Sequence, residues 1–92
     1  MTTNEFSIFF EKPCRFKLKS GKVVYGVIWE ERLPSGERQH FFSSPGDYHS
    51  YLVAYAMHDM AACQNLRHHV RLSEVIGAEV LEEEVVILSR PA

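Results

Sequence analysis

Cys14-Arg15-Phe16-Lys17-Leu18-Lys19-Ser20-Gly21-Lys22-Val23-Val24-Tyr25-Gly26-Val27-Ile28-Trp29 is the stretch that decides the fold. Its first six residues alternate apolar and basic. Successive side chains on a strand point to opposite faces, so this is a half-buried strand with one cationic face. Gly21 takes positive φ cheaply and marks a tight hairpin. The returning strand, Val23 to Trp29, is apolar on both faces, as a central strand is. Alternation is expected to place Tyr25, Val27 and Trp29 in the core with Phe16 and Leu18. Val24 and Ile28 then fall on the other face, where another segment must cover them.

Downstream, Leu33-Pro34-Ser35-Gly36 is a turn, and Arg38 to Ser43, with Phe41 and Phe42, is a third strand. Ser44, Pro45 and Asp47 supply an N-cap, a first helical residue and a capping-box-like acid, so a helix starts at Pro45. Tyr48, Tyr51, Leu52, Tyr55 and Ala56 recur at helical spacing and are its expected buried stripe. Asp59 can cap a further turn through Cys63 and Leu66, so residues 45–67 form one bent helix or two short ones. His68 to Leu72 reads as a fourth strand, Ser73-Glu74-Val75 as a turn, Ile76 to Leu81 as a fifth strand, and Val85 to Leu88 as a further short one. Phe6 to Phe10 fits a strand or a short helix. The expectation is one mainly β domain over residues 1–92, α+β in class, with a helical insertion at about 45–67.

Phe16 to Ile28 resembles the first signature of Sm-like small barrels, with alternating apolar residues, a turn glycine (Gly21), a second glycine five residues on (Gly26) and an apolar pair (Val27, Ile28). Val70 to Val80 is similar to the strand–turn–strand closure of SH3-like and Sm-like barrels. The resemblance implies a small barrel of about five strands, of the kind found in bacterial small-barrel proteins. It does not extend to the Sm-like nucleotide-binding motifs. Glu30-Glu31-Arg32-Leu33 stands where the family has an Asp/Asn-containing loop, and Leu72-Ser73-Glu74 where it has an Arg-Gly turn. No RNA-binding residue is carried over, and the helical insertion is a further departure.

The chain has 92 residues, of which 46% are hydrophobic and 24% charged, which is the make-up of one ordinary globular domain. No apolar run approaches the ~20 residues of a membrane span. The start Met-Thr-Thr-Asn-Glu-Phe lacks the basic and apolar regions of a secretory signal. Cys14 and Cys63 lack CxxC spacing and read as reduced, buried thiols of a cytoplasmic protein. The net charge of −2 gives no global field for nucleic acid. Charge is segregated all the same. Lys12, Arg15, Lys17, Lys19 and Lys22 have no acid among them, and Glu74, Glu79, Glu82, Glu83 and Glu84 have no base.

Two surfaces follow. Arg15, Lys17 and Lys19 aim one way, with Lys22 joining across the hairpin, and these four are the candidate nucleic-acid contacts. Tyr25 and Trp29 are of a type that can stack bases, but assigning both to the core leaves that basic face without an aromatic. On the helix, the same assignment of faces sends Ser50, Val53, Ala54 and Met57 outward. Val53 and Met57, one turn apart on a helix uncharged between Asp47 and Asp59, are the candidate protein interface.

Catalysis finds no nominee. His40, His49, His58, His68 and His69 show no chelating spacing, so no metal site is expected. Glu30/Glu31 and Glu82–Glu84 read as solvated strand ends. The leading expectation is a non-catalytic module acting through contacts with a protein partner or a second copy as a homodimer, without cofactor, small-molecule substrate or membrane. Weak nucleic-acid binding by the cationic hairpin is the alternative.

Overall fold

The structure, a computed structural model, describes residues 3–81. The expected strand Val85 to Leu88 and the Glu82–Glu84 run lie outside them. The element order is α1 (Thr3–Phe6), continued by a 3-10 turn at Ser7–Phe9, then β1 (Cys14–Leu18), β2 (Val23–Arg32), β3 (Arg38–Ser43), α2 (Pro45–Ala56), α3 (Met60–Leu66), β4 (His68–His69), a 3-10 turn at Leu72–Glu74, and β5 (Val75–Val80). All strand pairs are antiparallel, and the sheet order is β4-β3-β2-β1-β5. Phe6 to Phe9 is therefore helical, with Phe10 already extended, and the insertion is two helices rather than one.

Two turns of one design set the register. The Gly21 N–H donates to the Leu18 carbonyl and the Leu18 N–H to the Lys22 carbonyl; Gly36, Leu33 and Glu37 repeat this arrangement. Both glycines have φ near 90°, and in both turns the serine before the glycine accepts from the N–H two residues on. These are three-residue loops with a left-handed glycine. Such a loop pairs residues of equal parity, so Phe16 lies opposite Val24, and Arg15 opposite Tyr25. The expected face assignment of β2 is thereby corrected. Val24 and Ile28 join Phe16, while Tyr25 goes to the other face and is 56% exposed.

The consequence is two cores on opposite faces of one sheet. The first holds Phe6, Cys14, Phe16, Ile28, Leu72 and Val75, and α1 lays Phe6 flat against Phe16 with ring centroids 5.8 Å apart. The second holds Val27, Trp29, Phe41, Tyr51, Ala54 and Cys63 beneath α2 and α3. Each fully buried large side chain contributes roughly 1.5–3 kcal/mol. Gly26 stands where β2 passes from pairing with β1 to pairing with β3. A Cβ there would lie 2.3 Å from the Ser43 carbonyl oxygen and 2.6 Å from the Phe42 ring.

Among the described residues the sheet is open. β4 and β5 are its two edges, and β4, only two residues long, offers β5 little backbone to pair with. No described helix is long and apolar enough to cross a membrane.

Candidate functional site

Ser44 caps α2 by accepting from the Asp47 N–H, and Asp59 caps α3 by accepting from the Ala62 N–H. The Ser43 hydroxyl donates to the Leu66 carbonyl and ties the start of the helix pair to its end. The inner line of α2 is Tyr51 and Ala54 with half-buried Tyr48, joined by Cys63 of α3. This corrects the expected stripe. Leu52, Tyr55 and Ala56 are exposed, and Ala54, expected outside, is buried because α3 folds back beside it. Val53 (49% exposed) and Met57 (74%) do face outward. With Leu52, Tyr55 and Met60 they make a broader apolar band than the two-residue stripe expected.

The band continues into a groove of about 370 Å³ between α2 and the end of β2, walled by Trp29, Tyr48, Tyr51 and Tyr55 with Glu11 on its rim. The Trp29 ring lies 5.1 Å from that of Tyr48 and 4.7 Å from that of Tyr51. Pairing of β1 with β2 stops at Gly26, and the Glu11 N–H then donates to the Ile28 carbonyl. Beyond that bond no described strand pairs with this edge of β2.

At the floor of the groove sits Glu31, which sequence reasoning took for a solvated strand end. Its carboxylate accepts from Trp29 Nε1 at 3.1 Å, from the Tyr51 hydroxyl, and from Arg67 Nη1 at 2.9 and 3.0 Å. Arg67 also lies 4.2 Å above the Phe41 ring. Burial alone would raise the Glu31 pKa, but the bonds from Tyr51 and Trp29 and the charge of Arg67 outweigh it and hold it below the ordinary carboxylate value. Burial, with the bond to Glu31 and its charge, pushes the Tyr51 hydroxyl up to about 12. The Trp29-x-Glu31 spacing, which puts both on one strand face, was the available signal. Arg67 and Tyr51 arrive only through tertiary structure.

The second surface lies on the same sheet face as Trp29 but beyond the reach of α2. Arg15 stands opposite Tyr25 on one side and Glu79 on the other; Lys17 stands opposite Val23 and Gly77. Arg15 Nε is 3.1 Å from Glu79 Oε1, and both side chains are substantially exposed, at 44% and 64%. Gly77 has no side chain, so a hollow of about 350 Å³ opens beside Arg15 and Lys17. The basic face thus carries an aromatic, Tyr25, contrary to expectation. Lys19 is exposed at the hairpin end, its N–H donating to the Glu74 carbonyl. Lys22 is exposed too, but it pairs with Leu18 and has the parity of the opposite face. The structure therefore groups Arg15 and Lys17 with Tyr25 and sets Lys22 apart.

Both cysteines are buried and unbridged. Burial pushes the Cys14 thiol up, with Lys12 opposing. His40 bonds Glu30 at 3.1 Å and stacks on Phe10, and His69 packs on Phe41. Among the described residues no three His, Cys, Asp or Glu side chains are grouped to hold a metal ion. No family model, curated protein or solved structure matches the chain.

Proposed function

We propose that the protein is a non-catalytic binding module that works through protein contacts, with the outer face of α2 as its docking surface and a second copy of the chain as its partner. The observation that carries this is the concentration of exposed apolar side chains. Of the ten large ones exposed among the described residues, five (Leu52, Val53, Tyr55, Met57 and Met60) lie between positions 52 and 60. Exposed apolar area gathered on one short stretch, from α2 into the start of α3, favours an interface over solvation. The occupant is argued from charge. Between Asp47 and Asp59 the helix bears no Asp, Glu, Lys or Arg, so two copies of the band meet without like-charge repulsion, as a two-fold interface requires.

A non-catalytic role is supported by the tightest polar cluster of the described residues. Glu31 is held by Trp29, Tyr51 and Arg67 and has the character of a structural clamp. A cytoplasmic location is part of the same proposal, and buried free thiols are compatible with it. Gly26 and the sharing of β2 between two half-sheets support membership of the Sm-like/SH3-like small-barrel class.

Size-exclusion chromatography with light scattering tests the proposal. The wild type is expected to run as a dimer and Met57→Glu as a monomer that stays folded by circular dichroism, because Met57 is the most exposed residue of the band. A wild type that stays monomeric at high concentration overturns self-association. A Met57→Glu dimer moves the interface elsewhere.

A further inference from the structure

The basic hairpin that sequence analysis singled out is not used by the α2 surface. The register gives it what a purely solubilising strand would lack. Tyr25, 56% exposed, stands directly across from Arg15, and Lys17 is two residues along on the same face. α2 roofs Val27 and Trp29 of β2 but stops short of Tyr25, so among the described residues no helix covers this half of the sheet while the other half is covered. On β5, Gly77 withholds a side chain opposite Lys17 and leaves the hollow open.

We propose that this bare face, Tyr25 with Arg15 and Lys17, binds single-stranded nucleic acid, a base stacking on the Tyr25 ring while the two cations hold the adjoining phosphates. An aromatic ring beside cations is the combination that single-strand binders use, since every base has a π-face and every nucleotide a phosphate. The occupant is chosen by charge and shape together. An acidic peptide satisfies the cations and leaves the ring unused, whereas a nucleotide engages both. Glu79 is the opposing term. It lies on the same face, pairs with Arg15 and lowers the local potential. With a net charge of −2 the attraction is local, acting within about a Debye length of ~10 Å at 0.1 M salt. Binding is weak and insensitive to sequence, because phosphate contacts and stacking do not read base edges. The site is independent of the α2 surface and survives failure of the self-association proposal.

Fluorescence anisotropy of labelled oligo(U) and oligo(dT), titrated across a salt series with full-length protein free of nucleic acid, is the test. Binding is expected at low salt, with a slope of about −0.7 in log–log form for each phosphate contact. Tyr25→Ala is expected to weaken it at least about fivefold, and Tyr25→Phe, which keeps the ring, to leave it unchanged. Lys17→Ala should flatten the slope by about one contact, ~0.7. Glu79→Gln should tighten binding by freeing Arg15. All three positions are exposed, so the variants keep both cores. Absence of binding at low salt overturns the proposal. So does binding that Tyr25→Ala leaves intact and heparin matches, which reduces the face to a general polyanion surface. A preference for oligo(U) over oligo(dT) assigns RNA as the ligand, and equal binding assigns single strands of either kind.

Discussion

The carboxylate of Glu31 gathers donors from three elements: the indole of β2, a tyrosine of α2, and Arg67 where α3 gives way to β4. Because these donors lower its pKa, the folded state favours the ionised form more than the unfolded chain does. The sign follows from linkage. The contribution is complete above the unfolded carboxylate pKa and is lost as pH falls through the lowered folded value. Glu31→Gln keeps the size of the side chain but leaves Arg67 without a counter-ion. It is expected to cost about 1–3 kcal/mol at neutral pH. It should also flatten the acid side of a plot of urea midpoint against pH. An acid limb identical to wild type would mean that other carboxylates govern the acid response. At the alkaline end Tyr51, raised to about 12, keeps its proton where an unfolded tyrosine would lose it, so stability declines from about pH 10 upward.

Among the elements β2 has the most to reconcile, since its residues 24 and 28 serve one core and 27 and 29 the other. Strand alternation divides them, and Gly26 lets the end of β3 close on the strand. Gly26→Ala places a methyl against the Ser43 carbonyl, and backbone yields less readily than a flexible side chain. Equilibrium urea unfolding should show a loss of about 1–3 kcal/mol or more, and a variant as stable as wild type would remove close approach as the reason for glycine. This element also marks what was legible in advance. The first three strands, the capped helix starts at Pro45 and after Asp59, and the hairpin at Gly21 all follow from local chemistry, and the structure places them there, whereas the expected fourth strand from His68 to Leu72 shrinks to His68–His69 because Leu72 opens a 3-10 turn. The pairing partner of Phe16 does not. A two-residue loop and a three-residue loop differ by one residue of register, and one residue exchanges the faces. Ser20 and Gly21 suit a turn of either length, so Tyr25 was misplaced. The helical stripe was misjudged for a related reason. Seven apolar side chains between Tyr48 and Ala56 leave several rotations open, and α3, packing beside Ala54, decides among them. Of the candidate surfaces, Val53 and Met57 are exposed as expected although the stripe used to send them outward does not hold, whereas Tyr25 on the basic face and the Glu31 clamp needed pairings distant in sequence.

At the scale of the whole molecule, two cores share one sheet, and each contains a cysteine. Cys14 lies in β1 between β2 and β5, and Cys63 in the seven-residue α3. A short helix opens locally at lower free energy than a strand paired on both sides. Burial also disfavours the Cys14 thiolate, the reactive form. Labelling of the native protein with iodoacetamide, followed by mass spectrometry, should therefore be slow at both sites, with Cys63 modified before Cys14. The reverse order would mean that the sheet edge at β5 is the weaker part of the fold. The arrangement has an optical counterpart. Trp29, the single tryptophan of the chain, lies in the second core, flanked by Tyr48 and Tyr51. Its emission watches the helical roof alone. Phe6 and Phe16, on the other side of the sheet, are dark to it, so an unfolding curve recorded by fluorescence times the lifting of α2 and coincides with circular dichroism only if both halves leave together.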